Sequence, residues 1–167
     1  MGEFEQAHSL LAAAAGDDPL SPTASSVNGG LYLHHFEVTE KRDRHLLDAA
    51  KENLLEAIDR DNACFKDFER LTRVYILLAE ISHGKEKTSR LNEAFETTGK
   101  AIKRYPGCGR LHIERAKIAE QMGKTNTAIE HYKKAIKIED SYRAQFRQMY
   151  PQEEIFSRLG EEKYNLA

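Results

Sequence analysis

The chain of 167 residues has no tryptophan, four prolines, only two cysteines and few aromatic side chains. No stretch of about 18 apolar residues occurs, which excludes a bilayer-spanning helix in the sequence as it stands. The first charged residues are Glu3 and Glu5, so the basic, apolar, small-residue order of a secretory signal is missing. Two cysteines cannot build a disulfide framework. There is no nucleophile elbow, no zinc-ligand cluster and no glycine-rich dinucleotide loop. These absences argue against an enzyme and imply no cofactor and no metal. A net charge of −2 gives no excess of cations to attract a polyanion, so nucleic acid is not an expected partner. The charge is unevenly spread, however. Residues 1–62 carry 12 acidic and 5 basic side chains, whereas residues 63–140 carry 16 basic and 11 acidic ones. Such polarity fits a partner with a charge pattern of its own.

What the chain does have is self-similarity, the feature to look for before any other. Four stretches align: EQAHSLLAAAAGDDP, LDAAKENLLEAIDRDN, NEAFETTGKAIKRYP and NTAIEHYKKAIKIED. Each carries two alanines seven residues apart and then a helix-ending Pro, Asn or Asp. The pairs are Ala7/Ala14, Ala50/Ala57, Ala94/Ala101 and Ala128/Ala135, with second alanines spaced by 43, 44 and 34 residues. A seven-residue spacing puts both small side chains on one helical face, where another helix can approach closely. The segments ahead of these stretches agree. Phe68, Leu71, Thr72, Tyr75 and Leu78 form one stripe at helical spacing. His112, Ala116 and Ala119 repeat it, as do Ser25, Gly29 and Tyr32, and Gly123 marks a turn. In this register Cys64 and Cys108 occupy equivalent points of neighbouring repeats. Such points lie about 10 Å apart in stacked helices, beyond the roughly 7 Å a disulfide can bridge, so both are expected reduced.

This pattern resembles the tetratricopeptide-repeat (TPR) family, which has a bulky residue, a small one, an aromatic, a turn glycine, then alanine, aromatic, alanine and proline. Ala116, Gly123, Ala128, Tyr132 and Ala135 match it in one repeat; Phe68, Tyr75, Ala94, Ala101 and Pro106 match it in another. His112, Ala119 and Asp140 depart from it, standing where Trp or Leu, an aromatic and proline are usual. The resemblance extends to about Asp140. It implies an all-α fold, a right-handed α-solenoid of antiparallel helix pairs. The expected organisation is a half repeat in 1–20 with a second helix only, repeats with insertions in 21–62 and 63–106, a repeat in 107–140, and capping helices in 141–167. A half repeat exposes the face its first helix would cover. The expectation is therefore a chain cut from a longer array or completed by another polypeptide, including a second copy docked through residues 1–20.

The two excesses of nine and ten residues fall between the helices of a repeat, near EVTEKRDR and SHGKEKTSR. They either lengthen the helices or form charged loops, and are read as solvated connectors, not as a second binding surface. Past Asp140, Ser141 is expected to cap a new helix through about Met149, Pro151 to end it, and another helix to begin near Gln152.

The Gly-Lys-Thr of MGKTN has no glycine five residues upstream, where Ile118 stands, and no preceding strand; it is read as a helix–helix turn. The adjacent His34 and His35 point about 100° apart on a helix and cannot easily share a tetrahedral metal. The remaining role is binding. The TPR resemblance implies a concave groove lined by first helices, taking a peptide or helix of a partner. The residues off the core stripe are then Lys66, Glu69, Arg73 and Leu77 in one repeat and Arg110, Ile113, Lys117 and Glu120 in the next, continued by Thr23 and Ser26. Four cations suit an acidic segment or a C-terminal carboxylate. Family members that hold chaperone tails use a Lys/Asn/Asn/Lys/Arg clamp; Ser26 and Gly30 occupy the first two places here, so that partner is not implied. The expected role is a non-catalytic scaffold, cytoplasmic or the soluble part of a membrane-anchored protein. A looser resemblance, in DPLSP and YRAQFRQMYP…SRLGEEKY, is to repeat tails of bacterial O-antigen ligase or polymerase-type proteins, which would make the role docking or self-association.

Overall fold

The computed structural model describes residues 2–39 and 43–152. They form seven helices: α1 (Glu3–Asp17), α2 (Thr23–Val38), α3 (Arg44–Arg60), α4 (Phe65–Ile81), α5 (Gly84–Arg104), α6 (Gly109–Gln121) and α7 (Thr125–Met149), with no strand among the described residues. The fold is all-α, built from helix pairs joined by short turns, as in TPR-type solenoids. The chain forms two compact units, Met1–Thr97 and Thr98–Ala167.

In the first unit α2 packs on α1 and α3, α3 packs on α4, and α2 also touches α4. The alanine pairs explain how close these approaches are. Ala50 and Ala57 on α3 and Ala94 on α5 are fully buried, and Phe36, Leu47, Leu54, Phe68, Leu71 and Leu78 are buried too. Gly29 is the small position that lets α3 come down on α2: a Cβ there would sit 2.6 Å from Leu54 Cγ. Asp43 starts α3, its Oδ1 accepting the His45 N–H at 2.9 Å. The other end of α3 is tied to the α1–α2 turn by Arg60, whose Nη1 donates to the Ser21 carbonyl at 2.9 Å.

α1 is held differently. His8 is its buried residue. Its ring stacks on Tyr32 at 3.5 Å between centroids, and its Nδ1 lies 2.7 Å from Asn28 Oδ1. Phe4 stacks on His35 at 4.0 Å. Ala7 is half-buried but Ala14 is exposed, so the alanine pair that the other second helices bury is only partly covered here.

In the second unit α6 packs on α7, with Ala116, Ala119, Ala128 and Ala135 buried along the contact. The turn between them is fixed by Gly123 at φ +72. Its N–H bonds to the Glu120 carbonyl and the Lys124 N–H to the Ala119 carbonyl, the paired closure that requires a left-handed residue after the helix. Gly-Lys-Thr is thus a helix–helix turn.

One open alternative is resolved and one expectation needs amendment. The excess near SHGKEKTSR is not a loop: only Ser82 and His83 separate α4 from the 21-residue α5, so the extra residues enter as helical turns. In the other excess α2 runs to Val38 and α3 starts at Arg44, with residues 40–42 outside the described set. Ser141 does not cap a new helix. α7 runs unbroken through it for 25 residues, and its hydroxyl donates back to the Lys137 carbonyl at 2.8 Å. Serine can satisfy itself this way inside a helix as readily as at its start. α7 does stop just before Pro151, as the ring requires; the helix expected from Gln152 lies outside the described residues apart from its first position.

Candidate protein-interaction faces

The first helices of the pairs carry most of the expected groove residues, and each unit holds its own set. On α4, Lys66 and Arg73 are exposed and Glu69 is half-buried, all on the solvent edge of a helix whose other faces are covered. Arg73 Nε donates to Glu37 Oε1 of α2 at 3.1 Å, an exposed pair that fixes the guanidinium over the α2–α4 seam. Further back along α4, Asp67 is buried beneath this edge. Its Oδ1 accepts from Ser26 Oγ at 2.7 Å and from Arg70 Nη1 at 3.2 Å. Arg70 lies along Gly30, where a Cβ would be 3.3 Å from the guanidinium carbon. Ser26 therefore links α2 to α4, while Thr23 is exposed.

Leu77 does not belong to this edge. It is 2% exposed, part of the apolar run Val74–Ala79 that is buried throughout. Six consecutive apolar residues signal a helix covered on all sides, not one with a single stripe; that signal was present in the sequence and outweighs the four-residue step from Arg73.

On α6, Arg110 and Glu120 are exposed and Lys117 is half-buried. Lys117 pairs with Glu114 at 3.5 Å on its own helix, and Glu120 Oε2 accepts from the Tyr132 hydroxyl of α7 at 2.9 Å. Burial and that carboxylate together push the Tyr132 phenol up to about 12. Ile113 is the second correction: it is 4% exposed, packed on Ala135 and Tyr132. The small Ala135 lets α7 approach, and Ile113 fills the space.

Between α6 and α7 lies a polar chain that sequence spacing could not reveal. Arg115 Nε donates to His131 Nε2 at 3.2 Å, His131 Nδ1 faces His112 Nδ1 at 3.0 Å, and His112 Nε2 is 3.3 Å from the Pro106 carbonyl. These contacts have one consistent reading with both rings neutral. His131 Nε2 accepts, so its Nδ1–H donates to His112 Nδ1, and His112 Nε2–H donates to Pro106. Burial, then the Arg115 charge, brings His131 down to about 4. Burial likewise lowers His112, partly offset by the Pro106 hydrogen bond. The Arg115 guanidinium lies against Gly99, where any Cβ would collide with it. His112, the position at which the TPR pattern has Trp or Leu, is thus a buried hydrogen-bonding residue.

Among the described residues no three His, Cys, Asp or Glu side chains converge as a metal site, and no helix is long and apolar enough to cross a membrane. Cys64 and Cys108 are free thiols, standing at the same place, immediately before α4 and α6.

No family model matches the sequence, and no curated protein sequence matches it. Solved structures do. MamA MSR-1 superposes with a TM-score of 0.62 at 22% identity, over 84% of this chain and 70% of that one. Another MamA crystal structure gives 0.65 at 21% identity, over 93% and 72%. TTC0263, a thermophilic TPR protein of Thermus thermophilus, gives 0.61 at 21%, over 90% and 74%. These likenesses establish a TPR-like fold. The resemblance to O-antigen ligase or polymerase tails is not among what they show.

Proposed function

We propose that this chain is a protein-interaction scaffold that holds an acidic peptide or helix of a partner protein along the solvent edges of its first helices. The reading rests above all on the edge of α4, where Lys66 and Arg73 stand exposed beside the buried Asp67, Phe68, Leu71, Thr72 and Val74–Ala79. Such a strip offers charge-assisted hydrogen bonds to a carboxylate-rich segment while the apolar stripe below keeps the helix rigid. The TPR-like fold supports it, because helix pairs with a polar outer edge are suited to presenting side chains to a partner. Arg110 and Lys117 form the corresponding edge of α6. The acting set in this proposal is Lys66, Glu69, Arg73, Arg110, Lys117 and Glu120. Repeats at 21–62, 63–106 and 107–140 would be its units, with 1–20 and 141–167 as flanking segments.

The test is fluorescence anisotropy with an array of labelled acidic helical peptides against the wild type, Lys66→Glu with Arg73→Glu, and Arg110→Glu with Lys117→Glu. The expected result is salt-sensitive binding to some acidic sequences that falls by about tenfold or more in a charge-reversed variant of unchanged helical content. Absence of binding across the array, or binding indifferent to both reversals, overturns the reading.

A further inference from the structure

The edge of α4 holds a third cation besides Lys66 and Arg73. Arg70 stands four residues after the one and three before the other, on the same side of the helix. Its side chain is 39% exposed, whereas Asp67, its ion-pair partner, is 1% exposed. The bonds of this guanidinium all run through Nη1: to Asp67 Oδ1 at 3.2 Å, to Ser26 Oγ at 3.3 Å and to the Ser26 carbonyl at 3.5 Å. Ser26 Oγ donates in turn to the same Asp67 oxygen. Among the described residues neither Nε nor Nη2 of Arg70 has a partner.

α2 sets how the group lies. Cζ, Nε and Nη1 are 3.3, 3.3 and 3.6 Å from where a Cβ on Gly30 would stand. The central carbon is as near as Nε, so the plane of the guanidinium, not an edge, rests on α2. A guanidinium offers a carboxylate two matching edges. The end-on edge uses both Nη groups, and here Nη1 is taken up by Asp67 and Ser26. The side-on edge pairs Nε–H with the adjacent Nη2–H, and it remains open. Arg73 differs, because its Nε already donates to Glu37 at 3.1 Å. Val27, three residues before Gly30 on the same side of α2, is 48% exposed and offers an apolar rest for the stem of an incoming side chain.

We infer that Arg70 is the residue that reads the partner: its side-on edge takes one carboxylate, that of an internal Asp or Glu in the segment lying along α4, through paired hydrogen bonds from Nε and Nη2. The inference rests on the peptide-holding role proposed above and names the side chain that makes it selective. The guanidinium is fixed before the partner arrives, so little side-chain freedom is lost on binding. Lys66 and Arg73 continue the strip in both directions, which suits a segment passing across Arg70 and not a chain end stopping there. A lysine in its place would keep the charge and lose the fork.

The full chain is tested by isotope-edited NMR of its arginine Nε–H groups, the Arg70 signal being assigned by its loss in Arg70→Lys. One probe is an acetylated, amidated peptide of glutamate and alanine, whose only carboxylates are side chains. The other is its glutamine counterpart with a free C-terminal carboxylate. The glutamate peptide is expected to move the Arg70 signal saturably, and the glutamine peptide to leave it in place. Affinity for the glutamate peptide, read by anisotropy, is expected to fall about tenfold in Arg70→Lys, which keeps the charge. It should fall as well in Gly30→Ala, which alters no charge but displaces the guanidinium. Circular dichroism should be unchanged in both. Binding that moves other arginine signals but not that of Arg70, or that Arg70→Lys leaves intact, overturns the inference while the scaffold reading stands. An equal response to the glutamine peptide overturns it too, since the occupant would then be a chain end. Absence of binding to the glutamate peptide also overturns it, and the peptide array decides the scaffold reading separately.

Discussion

At the scale of single residues, the sharpest consequence concerns His131. Burial first, and then the facing Arg115 guanidinium, hold its ring neutral, with both nitrogens already committed to hydrogen bonds. The folded value near 4 lies below the ordinary 6.5, so the unfolded chain binds the proton more readily. The contribution to stability is complete above about pH 6.5 and is lost progressively as pH falls towards 4. His131→Gln, which keeps an acceptor for Arg115 but cannot charge, is expected to move the acid-unfolding midpoint to lower pH, read by circular dichroism across a pH series. Gly123 gives a second expectation. Its φ of +72 closes the α6–α7 turn, and Gly123→Ala places a Cβ in the left-handed region at a cost of about 1–2 kcal/mol, measurable by urea unfolding. No nearby atom crowds that position, so the cost would come from backbone conformation alone.

At the scale of helices, the governing quantity is how closely neighbours approach. Gly29 and Leu54 mark a close approach between α2 and α3, with the Leu54 backbone nitrogen 3.1 Å from where a Cβ would be. Leu54 is fully buried and cannot swing away. Gly29→Ala is therefore expected to cost about 1–3 kcal/mol through overpacking, checked by thermal and urea unfolding, whereas Gly16→Ala on the open side of α1 should stabilise the chain slightly or leave it unchanged. This level is also where the sequence was most readable. The buried alanine pairs at 50/57, 94/101 and 128/135, the small notch at Gly29 and the turn at Gly123 all follow from spacing and size. What escaped was whatever depends on contacts distant in sequence. Leu77 and Ile113 were placed by counting along one helix, but their burial is decided by how completely the surrounding elements cover α4 and by the room that Ala135 leaves. No periodicity aligns His112 with His131, nineteen residues on. Ser141 illustrates a different limit: its hydroxyl serves equally as a cap or as an internal donor, and only the uninterrupted helix decides between them.

At the scale of the whole molecule, stability in a repeat fold is carried by contacts between neighbours. A lesion is then felt where it is made. Gly29→Ala should lower amide protection in α2, α3 and α4 by more than in α6 and α7, and Gly123→Ala should do the reverse, both read by hydrogen-exchange mass spectrometry. Uniform loss of protection in either variant would instead mean that the two compact units open as one. Charge follows the same division: residues 1–97 carry 18 acidic and 11 basic side chains, residues 98–167 carry 9 acidic and 14 basic ones.

The turn between α4 and α5 has one more implication. The surplus residues entered there and left just two outside helix, Ser82 and His83. Residues inserted at Ser82 and His83 leave the spacing of Phe68, Leu71 and Tyr75 within α4, and of Ala94 and Ala101 within α5, unchanged. Related genes could thus drift in length at this point without disturbing the buried alanines, and the tip is the natural place to splice in a reporter.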